Sequence, residues 1–342
     1  MKNFVSNTTA SGANQFFFAS IPGEQHTCRV FYRIKVAGTY EYSLLFTNSL
    51  DSTYALGDVG KANLPCLPWV IHSLEAAPCD GVTDGELPFV TLAQNVTVTD
   101  TYQTPPVELS PQHYLCLQMT FSGELLPYHE ETLLPILERT PKGWIPTKKM
   151  PLPGLLGVRR QVKGRIGYVG DSITQGIGTP MDSYTHWSAL VADKLGDSYA
   201  HWNLGIGYAR AHDLATMGGW MDKAMENDII ILCLGTNDIL QGYPEEGIKA
   251  DLRLLTDTFL AAGKRVILQA VPPFAYGPQR LAVWERVNAF LRKEVAPKAE
   301  LYFEPASVLT SDGSTPLYES HPDETGCALW ADALFPEIQK LL

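Results

Sequence analysis

The chain has 342 residues, 45% of them hydrophobic and 18% charged, the balance of a folded protein rather than a disordered one, and is long enough for two domains. A formal net charge of −11 without a basic stripe argues against nucleic-acid binding. The first ten residues hold no apolar run, Phe16-Phe17-Phe18 is too short for a signal core or a membrane span, and the six cysteines (Cys28, Cys66, Cys79, Cys116, Cys233, Cys327) form no CxxC pair; together these predict a reduced, cytoplasmic protein without structural metal or membrane contact.

Residues 1–150 read as β-rich. Segments 28–36, 40–46, 89–92, 95–99 and 114–121 are short, aromatic and β-branched, and Pro, Gly, Asn and Asp cluster between them. No helical periodicity and no internal repeat is visible, so this part is expected to be an all-β sandwich of jelly-roll type serving as an accessory domain. Residues 122–163 are proline-rich and read as a connector, with 151–163 as the linker proper.

From residue 164 to 342 strand and helix alternate. Strands are predicted at 165–169, 199–204, 228–234, 265–271 and 301–303, and helices at 184–195, 213–225, 244–262, 281–294 and 326–342. The 244–262 helix carries Pro at its start, Glu245 and Glu246 in its first turn and Gly263 past its end, with Ile248, Leu252, Leu255 and Phe259 on one face. Repeated βα units predict a three-layer αβα domain around a parallel sheet, with right-handed crossovers.

Three segments carry chemistry. Gly170-Asp171-Ser172-Ile173-Thr174-Gln175-Gly176 follows a buried-strand pattern and puts one serine hydroxyl where an open α/β sheet binds ligands. Gly235-Thr236-Asn237-Asp238 follows a second such strand, and Glu319-Ser320-His321-Pro322-Asp323 precedes the last helix. A serine nucleophile, a histidine base and an amide donor for an oxyanion are the three groups acyl transfer needs.

With these blocks and Asn203-Leu-Gly205-Ile-Gly207-Tyr208-Ala-Arg210 in the same order, the chain from about residue 164 onward resembles the SGNH, or GDSL, hydrolase superfamily. The resemblance implies a flavodoxin-like fold and an acyl-serine mechanism without cofactor or metal. It makes Ser172 the nucleophile, His321 the base, and the Ser172 N–H, a glycine N–H and the Asn237 amide the oxyanion hole. Either Gly205 or Gly207 fills the glycine role; Gly207, further past the strand end, is the expected donor.

The family pattern has Asp three residues before the histidine, a position held here by Tyr318. Glu319, Asp312 folded back, or a backbone carbonyl serving a Ser-His dyad remain the alternatives for orienting His321. Gly205, His186, Tyr208, Arg210 and Phe274 are the candidate substrate-side residues, whereas Trp187, at helical spacing with Leu190 and Val191, reads as core. The function expected is hydrolysis of a small O-acyl ester, acetyl on a carbohydrate, because a β-sandwich precedes some SGNH carbohydrate esterases. An SGNH-type O-acyltransferase or a catalytically dead carbohydrate-binding protein are the alternatives; no pattern sets an oligomeric state.

Overall fold

The structure, a computed structural model, describes residues 3–51, 64–65, 67–309, 317–318 and 321–342. Its N-terminal part is built of antiparallel sheet. One sheet has six strands in the spatial order Gly143–Pro146, Ile136–Thr140, His26–Arg33, Tyr114–Ser122, Trp69–Cys79, Val90–Val98. The other runs Val5–Ser6, Leu155–Val158, Tyr40–Thr47, Val107–Leu109, with Thr101–Gln103 also paired to Tyr40–Thr47. Val30 and Tyr32 from the first sheet and Tyr42, Leu44 and Phe46 from the second are buried in one apolar cluster, which is how two sheets face each other in a sandwich.

Two strand assignments differ from the sequence reading. Trp69–Cys79 is the longest described strand and had no expected counterpart, because its His-Ser-Leu-Glu-Ala-Ala centre has weak β-propensity; burial between two neighbours overrides that preference. Segments 89–92 and 95–99 are one strand, Val90–Val98, carrying Asn95 at φ 52°. The proline-rich stretch also holds ordered strands: Ile136–Thr140 and Gly143–Pro146 form a hairpin at the sheet edge, where Pro is tolerated, and Leu155–Val158 pairs with Tyr40–Thr47.

The C-terminal part is a parallel sheet of β1 (Gly164–Gly170), β2 (Tyr199–Gly205), β3 (Ile229–Cys233), β4 (Arg265–Gln269) and β5 (Leu301–Phe303) in the order 2-1-3-4-5. Ile229-Ile-Ile-Leu-Cys233 is buried throughout, as a strand covered on both faces must be. On one face lie α2 (Trp187–Leu195) and α8 (Glu324–Gln339), whose Trp187 and Trp330 stack with centroids 5.0 Å apart. On the other, α6 (Glu245–Ala261) and α7 (Gly277–Phe290) bury Leu252, Phe259 and Val287 against Leu232 and Val266. The expected 213–225 helix is two pieces, α3 (Ala211–Ala215) and α4 (Gly219–Met225), broken by left-handed Met217 and Gly218. No described helix is long and apolar enough to cross a membrane.

In a 2-1-3-4-5 sheet the strand order reverses between β1 and β3, and that crevice is where such sheets take ligands. Ser172 follows β1 and Asn237 follows β3.

Candidate active site

β1 ends at Gly170, where an added Cβ would stand 2.0 Å from Thr174 Oγ1 and 2.7 Å from the Cys233 carbonyl oxygen. Only glycine lets the chain turn this tightly onto the next helical turn, α1 (Ser172–Gln175). Asp171 caps it, Oδ1 accepting from Ile173 N–H at 3.0 Å, and Gly176 at φ 119° closes it by donating to Ser172 O. The result fixes Ser172 at the first position of the turn, where backbone N–H groups have no intrahelical acceptor. Burial, reinforced by the Asp238 charge, pushes the Asp171 carboxyl up to about 7.

The histidine arrives from the far end of the chain. Tyr318 pairs with His321 and Leu317 with Pro322 in a short antiparallel ladder, and Asp323 starts α8 by accepting from Gly326 N–H at 2.9 Å. Gly178, at φ 106°, backs this loop so closely that an added Cβ would meet Pro322 O at 2.4 Å. Phe274 braces the imidazole edge-on, centroids 5.3 Å apart. His321 Nε2 then stands 2.8 Å from Ser172 Oγ, hydrogen-bond distance for a base that takes the hydroxyl proton. Glu319 and Asp312, two of the expected orienting acids, lie outside the described residues.

Asn237 sits in α5 (Thr236–Leu240), and one of its amide hydrogens is committed to Ala209 O at 2.9 Å. That bond leaves the second amide hydrogen to point elsewhere. The neighbouring Asp238 carboxylate accepts from Ala211 and His212 N–H, tying α5 to the start of α3; burial pushes that carboxyl up to about 6.

The glycine turn departs from expectation. Gly207 N–H donates to Gln175 Oε1 at 2.7 Å and Gly205 N–H to Asn203 Oδ1 at 2.8 Å, so the expected oxyanion donor Gly207 is engaged within the protein. Gly205 is instead where β2 crosses α1: an added Cβ would stand 2.2 Å from Gln175 N. The glycine at 207 makes room for the Glu131 carboxylate, whose Oε2 lies 1.8 Å from where a Cβ would be.

Two substrate-side candidates are corrected by burial. Arg210 is 4% exposed and its guanidinium is paired with Asp213 at 2.9 Å, so it closes the α3 turn. His186 is 2% exposed, its Nε2 at 3.2 Å from Thr9 O, and burial holds its imidazole down to about 4. Tyr208, in the glycine turn, is 42% exposed and left-handed at φ 61°, and Phe274 packs against His321. Among the described residues no group of three His, Cys, Asp or Glu is placed to hold a metal ion.

The N-terminal β-region supplies residues that the sequence did not point to. Ser11 Oγ donates to Gly205 O, Gln15 Nε2 to Gly207 O, and Gln175 Nε2 to Glu131 O, each at 2.7 Å. Such bonds to main-chain carbonyls leave no motif; the one available signal was Gln175, inside the Gly-Asp-Ser block.

Residues 168–329 match the GDSL-like lipase/acylhydrolase family. No curated protein matches the chain. Among solved structures, a lipolytic protein of the G-D-S-L family from Veillonella parvula is 23% identical, covering 52% of this chain and 99% of its own, with TM-score 0.44. The psychrotrophic esterase EstA from a Pseudoalteromonas species is 19% identical over 52% of this chain and 97% of its own, TM-score 0.42. A family two carbohydrate esterase from Clostridium thermocellum, an active-site mutant solved with a cello-oligosaccharide, is 14% identical over 98% of both chains, TM-score 0.44. Residues 168–329 are a GDSL-type, or SGNH, hydrolase domain, of a family of ester hydrolases.

Proposed function

We propose that the protein removes a small acyl group, acetyl, from a carbohydrate ester through an acyl-Ser172 intermediate. The observation that carries this reading is the 2.8 Å contact between Ser172 Oγ and His321 Nε2 at the switch point of the sheet. His321 takes the hydroxyl proton as Oγ attacks the ester carbonyl, and returns it to the leaving alcohol. The Ser172 N–H and the Asn237 amide stabilise the tetrahedral oxyanion; a single donor of this kind is worth about 3–4 kcal/mol of barrier. Water, deprotonated by His321, then releases the acid.

The carbohydrate half of the reading rests on the β-sandwich ahead of the hydrolase domain, a warrant at the level of fold, and on the hydroxyl- and carboxylate-bearing groups Tyr208 and Glu131 beside the glycine turn. The test is a panel of aryl acetate, butyrate and octanoate esters with acetylated oligosaccharides, each also run with Ser172→Ala. Acetate preference that vanishes in Ser172→Ala is the expected result. A preference for octanoate overturns the small-acyl reading, and an equally active Ser172→Ala overturns the nucleophile.

A further inference from the structure

Asn237 can stabilise an oxyanion only while its carboxamide is held at one rotation, and the single described anchor of that rotation is Ala209 O. Ala209 closes the turn that leaves β2, with its own N–H on Ile206 O at 3.2 Å. The turn contains two glycines and a left-handed Tyr208, and within the hydrolase domain it is held by Ile206 N–H on Gly170 O at 3.1 Å and by Gly205 N–H on Asn203 Oδ1 at 2.8 Å. Its carbonyls are gripped from outside the hydrolase domain, Gly205 O by Ser11 Oγ and Gly207 O by Gln15 Nε2. The opposite side of Gly207 is gripped by Gln175 Oε1, and Gln175 is itself anchored on Glu131 O.

Gln15 is 2% exposed and its Nε2 donates to Gly207 O at 2.7 Å. The segment that carries it is itself pinned: Asn14 accepts and donates hydrogen bonds with Leu152, and its main chain is bonded to Asp51 in both directions. Asp51 in turn forms a buried ion pair with Lys223 of α4, at 2.6 Å.

We infer that Ser11 and Gln15 are positioning residues for the reaction: through the 205–209 turn they set the direction of the Asn237 amide, so that the β-region completes the oxyanion site. This rests on the serine-hydrolase reading above. It places the β-region inside the catalytic apparatus, in addition to any part it takes in holding the sugar.

The test uses the full chain with Gln15→Ala, Ser11→Ala, and Asn7→Ala as comparison. Asn7 is an equally buried amide of the same region, bonded to Val36 O and Tyr42 Oη, away from the turn. Readouts are kcat and KM on 4-nitrophenyl acetate, the second-order rate of labelling by a fluorophosphonate, and Tm. Gln15→Ala and the smaller Ser11→Ala are expected to lower kcat and labelling rate about tenfold or more, within the hundredfold that misplacement by about 1 Å costs, with KM little changed. Asn7→Ala is expected to lower Tm alone. If Gln15→Ala does not fold, Ser11→Ala, the loss of one hydroxyl, decides by the same criterion. An active wild type with undiminished kcat in the variant that decides, or an equal kcat loss in Asn7→Ala, overturns this inference alone. A wild type inert to both ester and phosphonate overturns the serine-hydrolase reading and this inference with it.

Discussion

Gly178 gives the most direct way to move His321 without touching either reacting side chain. A Cβ added there would lie 2.4 Å from Pro322 O and 3.0 Å from His321 Cβ. Ordinary C···O contact begins near 3.4 Å, so in Gly178→Ala the histidine loop must retreat by about 1 Å. The Ser172–His321 bond, 2.8 Å in the wild type, would then stretch beyond hydrogen-bond range. Rates fall by roughly a hundredfold for a displacement of this size, or ~2.7 kcal/mol of transition-state stabilisation.

A second effect must be separated from the first. Gly178 has φ 106°, where an L side chain adds about 1–3 kcal/mol of backbone strain. Gly263→Ala supplies the comparison, since Gly263 has φ 72° with nothing within 4 Å of an added Cβ. Both variants are expected to lose stability in urea unfolding, but only Gly178→Ala to lose kcat on 4-nitrophenyl acetate. Activity of Gly178→Ala within twofold of wild type would refute the claim that the histidine is held by contact with this glycine.

Asp171→Asn keeps the Oδ1 that caps Ile173 N–H but removes a titrating group. Because the folded carboxyl is raised to about 7 by burial, its stability contribution is full below the unfolded pKa of about 3.9 and is lost as pH rises through about 7. The variant should therefore gain on the wild type between pH 4 and pH 8, by ~4 kcal/mol at most; an identical stability difference at both pH values in urea unfolding would contradict this. Lys223→Met removes one partner of the buried Asp51 pair and leaves the other charge uncompensated, so a loss of about 3–5 kcal/mol is expected. A Tm within 1–2 °C of wild type, where about 1 kcal/mol already moves a large domain's Tm by 2–4 °C, would show that the pair is not desolvated.

Ser172 and His321, which the structure brings within 2.8 Å of each other, and the candidate Asn237 stood out in the sequence because chemistry at the edge of a parallel sheet is confined to strand ends, and each residue stands in a short block next to a strongly apolar or amphipathic element. The residues flanking them were less legible. Arg210 and His186 are polar and close in sequence to the blocks, yet their side chains turn inward, to Asp213 and to Thr9 O. Nearness along the chain does not say which way a side chain points on a tight turn. Gly207 was read as a donor from its distance past the strand, but the Gln175 side chain, 32 residues earlier, already takes that N–H. Ser11 and Gln15 were invisible for a further reason: their partners are carbonyls 194 and 192 positions away, and a carbonyl has the same chemistry whatever residue bears it.

The same long-range contacts bear on how the two halves of the chain relate. Ala13, Leu45 and Leu155 of the β-region lie in one apolar cluster with Trp202, Leu204, Ile206 and Trp220, on the outer side of β2 and α4. Trp202 Nε1 donates to Gly154 O, and the loop after the nucleophile is held by Tyr114 Oη on Asp182 and by Arg33 N–H on Tyr184 Oη, each at 3.0 Å. Asp182 and Tyr184 are both left-handed, at φ 62° and 55°, a conformation that persists only where surroundings impose it. A sandwich attached by a flexible linker could not impose it, since such a tether restrains distance but not direction. The β-region thus touches the loop after Ser172 and the glycine turn at once. On the inference above, the 205–209 turn orients the proposed donor Asn237 because Ser11 and Gln15 of the sandwich add to the bonds the turn makes with Gly170 O and Gln175 Oε1, and at 207 the glycine is what lets Glu131 and Gln15 approach.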